Sequence, residues 1–187
     1  SVFNFYDNFA GTTLSSKWTY GTGGSGSITV NNGVTLYQSS TGNVGTYLQS
    51  ISTFSPSIAE IYATSASESS DTCAWAAWWN SQSSPSMSSI NGYRFEAFPV
   101  SGTIALGYRI ITASGSSSTG GTSATKGILS AIWSATGNEI IALNYSQKLS
   151  WTDTSVTWGS GYYLNIWQEE AGTLVVQWAR IRAYPPN

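Results

Sequence analysis

The chain has 187 residues, nine tryptophans, no histidine and a formal net charge of −2. Only 9% of its residues are charged although 41% are hydrophobic, which excludes a disordered chain, since disordered chains combine low hydrophobicity with high net charge. The basic residues are scattered singly and no apolar run reaches about 18 residues, which excludes a basic stripe for nucleic acid and a membrane-spanning helix.

Short runs of β-branched and aromatic residues, each ended by turn residues, predict about a dozen strands and no substantial helix. Turn signals at Asn31-Asn32-Gly33 and Thr136-Gly137-Asn138 predict two tight hairpins. The polar segments Ser65–Asp71 and Ser114–Thr125 are predicted loops. In chain order the predicted strands are Trp18–Tyr20, Ser27–Val30, Val34–Tyr37, Thr46–Ser50, Ala59–Thr64, Ala74–Asn80, Tyr93–Phe98, Thr103–Ile111, Gly127–Ser134, Glu139–Leu143, Tyr162–Glu169 and Leu174–Arg182.

Antiparallel strands at this spacing predict an all-β sandwich or barrel, and residues 1–187 show neither an internal repeat nor a domain boundary. Cys73 stands alone, so no disulfide can form within the chain, and we predict a small core residue there. Asn144-Tyr145-Ser146 is a single glycosylation sequon, which is a weak signal.

Alternation along the strands assigns side chains to two faces. The side chains predicted to face the core are Trp75, Trp79, Tyr93, Phe95, Ala97, Leu106, Tyr108, Ile110, Tyr162, Leu164, Ile166 and Gln168. The opposite faces receive Trp78, Asn80, Arg94, Glu96, Phe98, Arg109, Tyr163, Asn165, Trp167 and Glu169.

This outward mixture of rings with carboxylate, amide and guanidinium groups suits a sugar site, because rings stack on pyranose C–H faces and planar polar groups bind vicinal hydroxyls. We expect Tyr163, Asn165, Trp167 and Glu169 to form a groove floor. The other predicted ligand-binding residues are Trp78, Arg94, Glu96 and Arg109. The competing interpretation is that outward pairs such as Arg94 and Glu96 only stabilise neighbouring strands.

Four stretches, in this order, resemble the concanavalin A-like lectin/glucanase superfamily: "FYDNFAGTTLSSKWT", "SITVNNGVTL", "LSAIWSATGNEIIALNYSQKL" and "VVQWARIRAYPPN". The resemblance is closest to uncharacterised archaeal and bacterial modules of surface and secreted proteins. It implies a single two-sheet antiparallel jelly-roll sandwich with one concave face. It also implies that the chain is a module or mature fragment of a larger extracellular protein.

The sequence departs from this superfamily in two ways. Laminarinase-like members carry Glu-x-Asp-x-x-Glu on one strand, and none of the nine acidic residues here has that spacing. Relatives often hold calcium with an Asp before the closing Trp, where this chain has Gln177, a poorer ligand than a carboxylate. Asp7 could still supply one weak ligand as a surface position, so calcium is disfavoured and no cofactor is expected.

Three functions therefore remain open. The first is a non-catalytic carbohydrate-binding or adhesive module that binds a glycan or cell-surface polysaccharide. The second is a structural protein of a surface layer, filament or virion from a hot acidic habitat, which would self-associate. The third is a glycoside hydrolase with Glu96 and Glu169 as its carboxylate pair; it is excluded if either is buried in an ion pair with arginine.

Overall fold

A computed structural model describes residues 3–42, 44–68, 74–81, 91–98, 107–112, 117–120 and 124–183. This part of the chain contains strands and turns but no helix, and hence none that could cross a membrane. Its strands are β1 (Phe5–Asp7), β2 (Trp18–Thr22), β3 (Gly26–Val30), β4 (Val34–Gln38), β5 (Gly45–Phe54), β6 (Ile58–Glu68), β7 (Trp75–Asn80), β8 (Gly92–Ala97), β9 (Tyr108–Ile111), β10 (Ser117–Gly120), β11 (Gly127–Trp133), β12 (Asn138–Leu143), β13 (Ser146–Thr152), β14 (Tyr162–Glu169) and β15 (Gly172–Arg182).

The strands form two antiparallel sheets. The eight-stranded sheet has the order β13-β12-β11-β6-β15-β4-β3, with β1 added beside the C-terminal half of β15. The seven-stranded sheet has the order β10-β9-β8-β7-β14-β5-β2. Neighbours that are distant in sequence, such as β6 with β15 and β5 with β14, make this a jelly-roll sandwich, as predicted.

The core lies between the sheets and is filled mainly by aromatic side chains. Trp75, Trp79 and Phe95 enter it from the seven-stranded sheet and meet Trp133 and Leu129 from the opposite sheet. These side chains are fully buried. The predicted alternation is confirmed for the inward residues of β7, β8, β9 and β14 that the structure describes.

The N-terminal segment is fixed by one carboxylate. Asp7 is buried, and its Oδ1 accepts the Phe9 N–H at 2.8 Å while its Oδ2 accepts the Trp18 indole N–H at 2.9 Å. Phe5 packs edge-on against Trp18 with ring centroids 5.0 Å apart. The expectation that Asp7 is a surface residue is therefore wrong, because it joins β1 to β2.

Both predicted hairpins are present. Asn31-Asn32-Gly33 links β3 to β4, with φ of 49° at Asn32 and 147° at Gly33. Gly137 turns the chain from β11 into β12 with φ of 76°. Positive φ values of this kind favour Asn and Gly, which is why these triplets were strong signals.

Other boundaries differ from the prediction. The strand β13 was not predicted, and β10 lies inside a predicted polar loop because its backbone pairs with β9 despite its Ser-rich sequence. The strand β6 likewise continues through Ser65 to Glu68, where it pairs with β15. Cys73, Leu106 and the start of the predicted strand Thr103–Ile111 lie outside the described residues.

Candidate functional site

The predicted ligand-binding side chains share the outer face of the seven-stranded sheet, here called the ladder face. They come from four adjacent strands, so sheet order brings together residues far apart in the sequence. Residues on this face are separated from the main core, and their apolar members form a cluster of their own. The predicted residues found there are Trp78 (β7), Arg94 and Glu96 (β8), Arg109 (β9), and Tyr163, Asn165, Trp167 and Glu169 (β14).

Aromatic rings run across the ladder face from strand to strand. Tyr47 on β5 stacks on Trp167, with ring centroids 5.3 Å apart and planes 10° from parallel. Trp167 in turn meets Trp78 edge-on at 5.3 Å, and the Arg94 guanidinium lies 5.8 Å from the Trp78 ring. Tyr47 was not predicted, because only the β5–β14 register places it opposite Trp167.

Two glycines make room for these rings. A Cβ added to Gly45 would lie 2.4 Å from Trp167 Nε1, and one added to Gly21 would lie 2.4 Å from the Tyr47 ring. Real Cβ atoms do not approach so closely, so each ring lies flat over the backbone of a glycine on its own side of the sheet. The rings therefore bury one another instead of standing up as an open groove.

A buried ion network continues the ladder face beyond Trp78. Glu96 is fully buried, and its two carboxylate oxygens accept from Arg94 Nε and Arg109 Nε. The Arg109 guanidinium also lies 5.1 Å from the Phe98 ring. Arg94 Nη2 is 3.8 Å from Glu169 Oε1, so Arg94 bridges the two glutamates.

The carboxyl group of Glu169 belongs to this network. Burial raises its pKa to about 7, and the negative charge of Glu96 adds to the rise, while Arg94 and Arg109 oppose it. Near neutral pH the Glu169 carboxyl is therefore a mixture of acid and carboxylate. It can act as a hydrogen-bond donor or acceptor.

Several buried polar atoms on the ladder face have no hydrogen-bond partner within the described structure. They are Trp78 Nε1, Trp167 Nε1, Asn165 Oδ1 and Glu169 Oε2. Each buried donor or acceptor left without a partner costs about 1–3 kcal/mol. Two donors and two acceptors of this kind on one face form an arrangement that a hydroxyl-rich ligand could complete.

Two expectations about these residues need correction. The groove floor is not open, because Trp78 is 0% and Trp167 2% exposed, and Asn165 is fully buried. The hydrolase with Glu96 and Glu169 as its pair does not meet the condition stated for it, since Glu96 is fully buried and each of its oxygens is paired with an arginine. Tyr163 and Arg109 are half-buried and remain partly accessible.

No group of three or more metal-binding side chains occurs in the described ranges. Asp7 uses both oxygens within the protein, as given above. Gln177 lies against the hairpin glycine, since its Nε2 is 2.8 Å from the position of a Cβ on Gly33. Neither residue therefore presents a free oxygen pair of the kind calcium prefers.

A second buried acid lies far from the ladder face. It is in the eight-stranded sheet, near the edge of that sheet and on its core side. Glu139 is fully buried; its Oε2 accepts the Asp153 N–H at 3.1 Å, but its Oε1 has no partner in the described ranges. Burial raises the pKa of Glu139 to about 8, and the charge of Asp153 adds to the rise. Burial would also raise the pKa of Asp153, yet hydrogen bonds from Ser155 and Tyr93 lower it.

Comparison with known proteins identifies solved structures of the same shape. No family profile and no curated protein sequence matches the chain. The laminarinase from Rhodothermus marinus is similar with a TM-score of 0.70 and 12% identity, over 98% of each chain. The apo Crh5 transglycosylase has a TM-score of 0.67 and 10% identity, covering 97% of this chain and 85% of that one.

The Ca²⁺/Man2-bound exoplasmic/lumenal domain of VIP36 has a TM-score of 0.63 and 12% identity, covering 94% of this chain and 86% of that one. At such identities the likeness establishes the fold alone. The chain has the two-sheet jelly roll of the concanavalin A-like lectins and glucanases.

Proposed function

We propose that this protein is a non-catalytic carbohydrate-binding or adhesive module of a secreted or cell-surface protein, and that the ladder face binds the glycan. The observation that carries the proposal is the set of buried polar atoms without partners on Trp78, Asn165, Trp167 and Glu169. Sugar hydroxyls donate and accept hydrogen bonds at once, so a saccharide can satisfy indole N–H donors and carbonyl-type acceptors together.

The route to these atoms runs past the partly accessible residues of the ladder face. Tyr47, Tyr163 and Arg109 are half-buried and flank the buried tryptophans. A saccharide would stack first on Tyr47 and then displace it from Trp167. The sugar would then contact both the ring face and the indole N–H of Trp167. The Man2-bound VIP36 domain and the laminarinase, which have a similar fold, support this ligand class.

The charge network favours binding without catalysis. Most glycoside hydrolases use two carboxyl groups, one on either side of the scissile bond. On the described strands of the ladder face the carboxyl groups are Glu96, fully engaged by two arginines, and Glu169. Glu169 is then the one carboxyl group on those strands that is not fully engaged, and it has no second carboxyl group to pair with.

The test is to remove an indole N–H while keeping an aromatic ring. We expect Trp167→Phe to weaken retention on laminarin or mannan in affinity electrophoresis by roughly tenfold, since a partner for a sugar hydroxyl is lost. The smaller ring also loses packing against Tyr47 and Trp78, which should cost about 0.5–3 kcal/mol of unfolding free energy, so retention is compared at a temperature where urea unfolding shows the variant to be folded.

Trp18→Phe is the matched control, since its indole N–H is bound by Asp7. We expect it to lower the free energy of unfolding and to leave glycan retention unchanged. Absence of wild-type retention on laminarin, mannan and a broad glycan array at millimolar sugar would reject the proposal.

A structural protein of a surface layer, filament or virion is the second candidate, favoured by the filled ladder face. Fully buried, stacked rings stabilise a sheet face as well as they bind a ligand. Light scattering over a concentration series, with electron microscopy of any assemblies, separates the two. Ordered filaments or layers without glycan binding would support this second candidate.

A further inference from the structure

The outer face of the eight-stranded sheet carries an arginine cluster, here called the arginine face, formed by Glu60, Tyr62, Trp178, Arg180 and Arg182. Ala179 and Ile181 of β15 enter the core, so Trp178, Arg180 and Arg182 point outward. In the β6–β15 register Trp178 lies opposite Tyr62 and Arg180 opposite Glu60. The cluster is thus built on two central strands of the sheet.

One carboxylate serves two guanidinium groups on this face. Glu60 is fully buried; its Oε2 accepts from Arg180 Nε at 2.5 Å and its Oε1 from Arg182 Nε at 3.0 Å. Asp7 and Glu139, on other strands of the sheet, are turned inward. Among the side chains that the structure describes there, the arginine face therefore carries excess positive charge on a chain whose net charge is −2.

Arg180 is held rigidly between two rings. Its guanidinium lies 4.9 Å from the Phe3 ring and 4.7 Å from the Trp178 ring. Its Nη2 also donates to the Tyr145 hydroxyl at 3.1 Å. Tyr145 is 58% exposed, and the Tyr62 and Trp178 rings are half-buried with centroids 5.7 Å apart.

The Arg182 guanidinium is held at its Nε only. Its Nε binds Glu60, the side chain is 31% exposed, and no residue of the described ranges bonds to its Nη atoms. A guanidinium held in this way presents a preorganised pair of donors, the geometry that binds carboxylate or sulfate with two parallel hydrogen bonds.

We propose that the arginine face binds an acidic polysaccharide, whose carboxylate or sulfate groups pair with Arg182 and whose sugar rings lie on Tyr62 and Trp178. Half-buried rings beside a guanidinium suit an anionic sugar. Nucleic acid is disfavoured because two arginines beside a carboxylate do not form the extended cationic track that a phosphate backbone needs. This site lies on the opposite sheet from the ladder face and does not depend on its function.

The test measures how tightly polygalacturonate, dextran sulfate and neutral dextran bind to the immobilised protein at low ionic strength. We expect the wild type to retain one or both acidic polymers and not dextran, and the preferred polymer identifies carboxylate or sulfate as the ligand. Arg182→Gln should weaken that binding by roughly tenfold. Arg182→Lys should restore little of it, since lysine keeps the charge but lacks the planar pair of donors.

Lys126→Gln is the matched control, because it removes the same charge from an exposed turn before β11. We expect this variant to bind the acidic polymer within about twofold of wild type. Trp167→Phe, which changes only the ladder face, should also bind it within about twofold. Urea unfolding of each variant verifies folding. Equal weakening by Arg182→Gln and Lys126→Gln, no wild-type binding to either acidic polymer, or equally tight binding of oligothymidylate would overturn the proposal.

Discussion

Glu139 offers the sharpest test of the energetics, because it is a buried carboxyl with one oxygen lacking a partner in the described ranges. In the unfolded chain its pKa is near the ordinary value of 4.5, whereas in the folded protein it is about 8. Between these values the folded state binds more protons than the unfolded state, so stability falls as pH rises. The contribution of the protonated carboxyl is complete below about pH 4.5 and is lost as pH rises through about 8.

The perturbation is Glu139→Gln, which keeps an acceptor for the Asp153 N–H and cannot ionise. One carboxyl changes the free energy of unfolding by at most about 1.4 kcal/mol per pH unit within its window. We expect about half of that slope, or about 2 kcal/mol between pH 5 and 8, because the water that reaches the half-buried Asp153 beside Glu139 screens the charge.

The assay is urea unfolding of wild type and variant at unit steps from about pH 5 to about pH 9. Glu169 also has a raised pKa, so only the difference between the two proteins reports on Glu139. We expect the variant to be relatively more stable at the alkaline end. Parallel stability curves would refute the assignment of a buried neutral acid at this position.

Three further outcomes follow from contacts already described. Gly45→Ala places a Cβ against the Trp167 indole and should cost about 1–3 kcal/mol of unfolding free energy; an unchanged melting temperature would contradict the close approach. Trp18→Phe leaves the buried Asp7 Oδ2 without its donor, and we expect a loss of about 1.5–3 kcal/mol by urea unfolding, against no loss if that bond is unimportant. Adding a chelator should move the melting temperature by less than about 1 °C, and a shift of several degrees would reveal a calcium site.

The faces of the strands could be predicted from the sequence, because side-chain alternation is a property of each strand by itself. Trp75 and Trp79 lie in the core and Trp78 lies on the ladder face, as the two-residue period of a strand requires. The hairpin at Asn32-Gly33 could likewise be predicted from the sequence, since its backbone conformation restricts the residue types.

Burial of the ladder face could not be predicted, because it depends on which strands become neighbours. Tyr47 contacts Trp167 only because of the β5–β14 register. The need for a glycine beneath each ring likewise depends on which strands are neighbours in the sheet. The pairing of Arg180 with Glu60 is similar, since the two residues are 120 positions apart in the sequence. Strand β10 was missed because its Ser-rich sequence carries no hydrophobic period, and pairing with β9 alone makes it a strand.

The edge-on contact between Trp78 and Trp167 also gives the protein an internal optical signal. Two indoles with ring centroids 5.3 Å apart and planes at 68° are close enough for their excited states to couple, which should produce a paired band of opposite signs in circular dichroism. Any ligand or substitution that slides Trp167 over Gly45 would change this band. Occupancy of the ladder face can therefore be followed in the unlabelled protein.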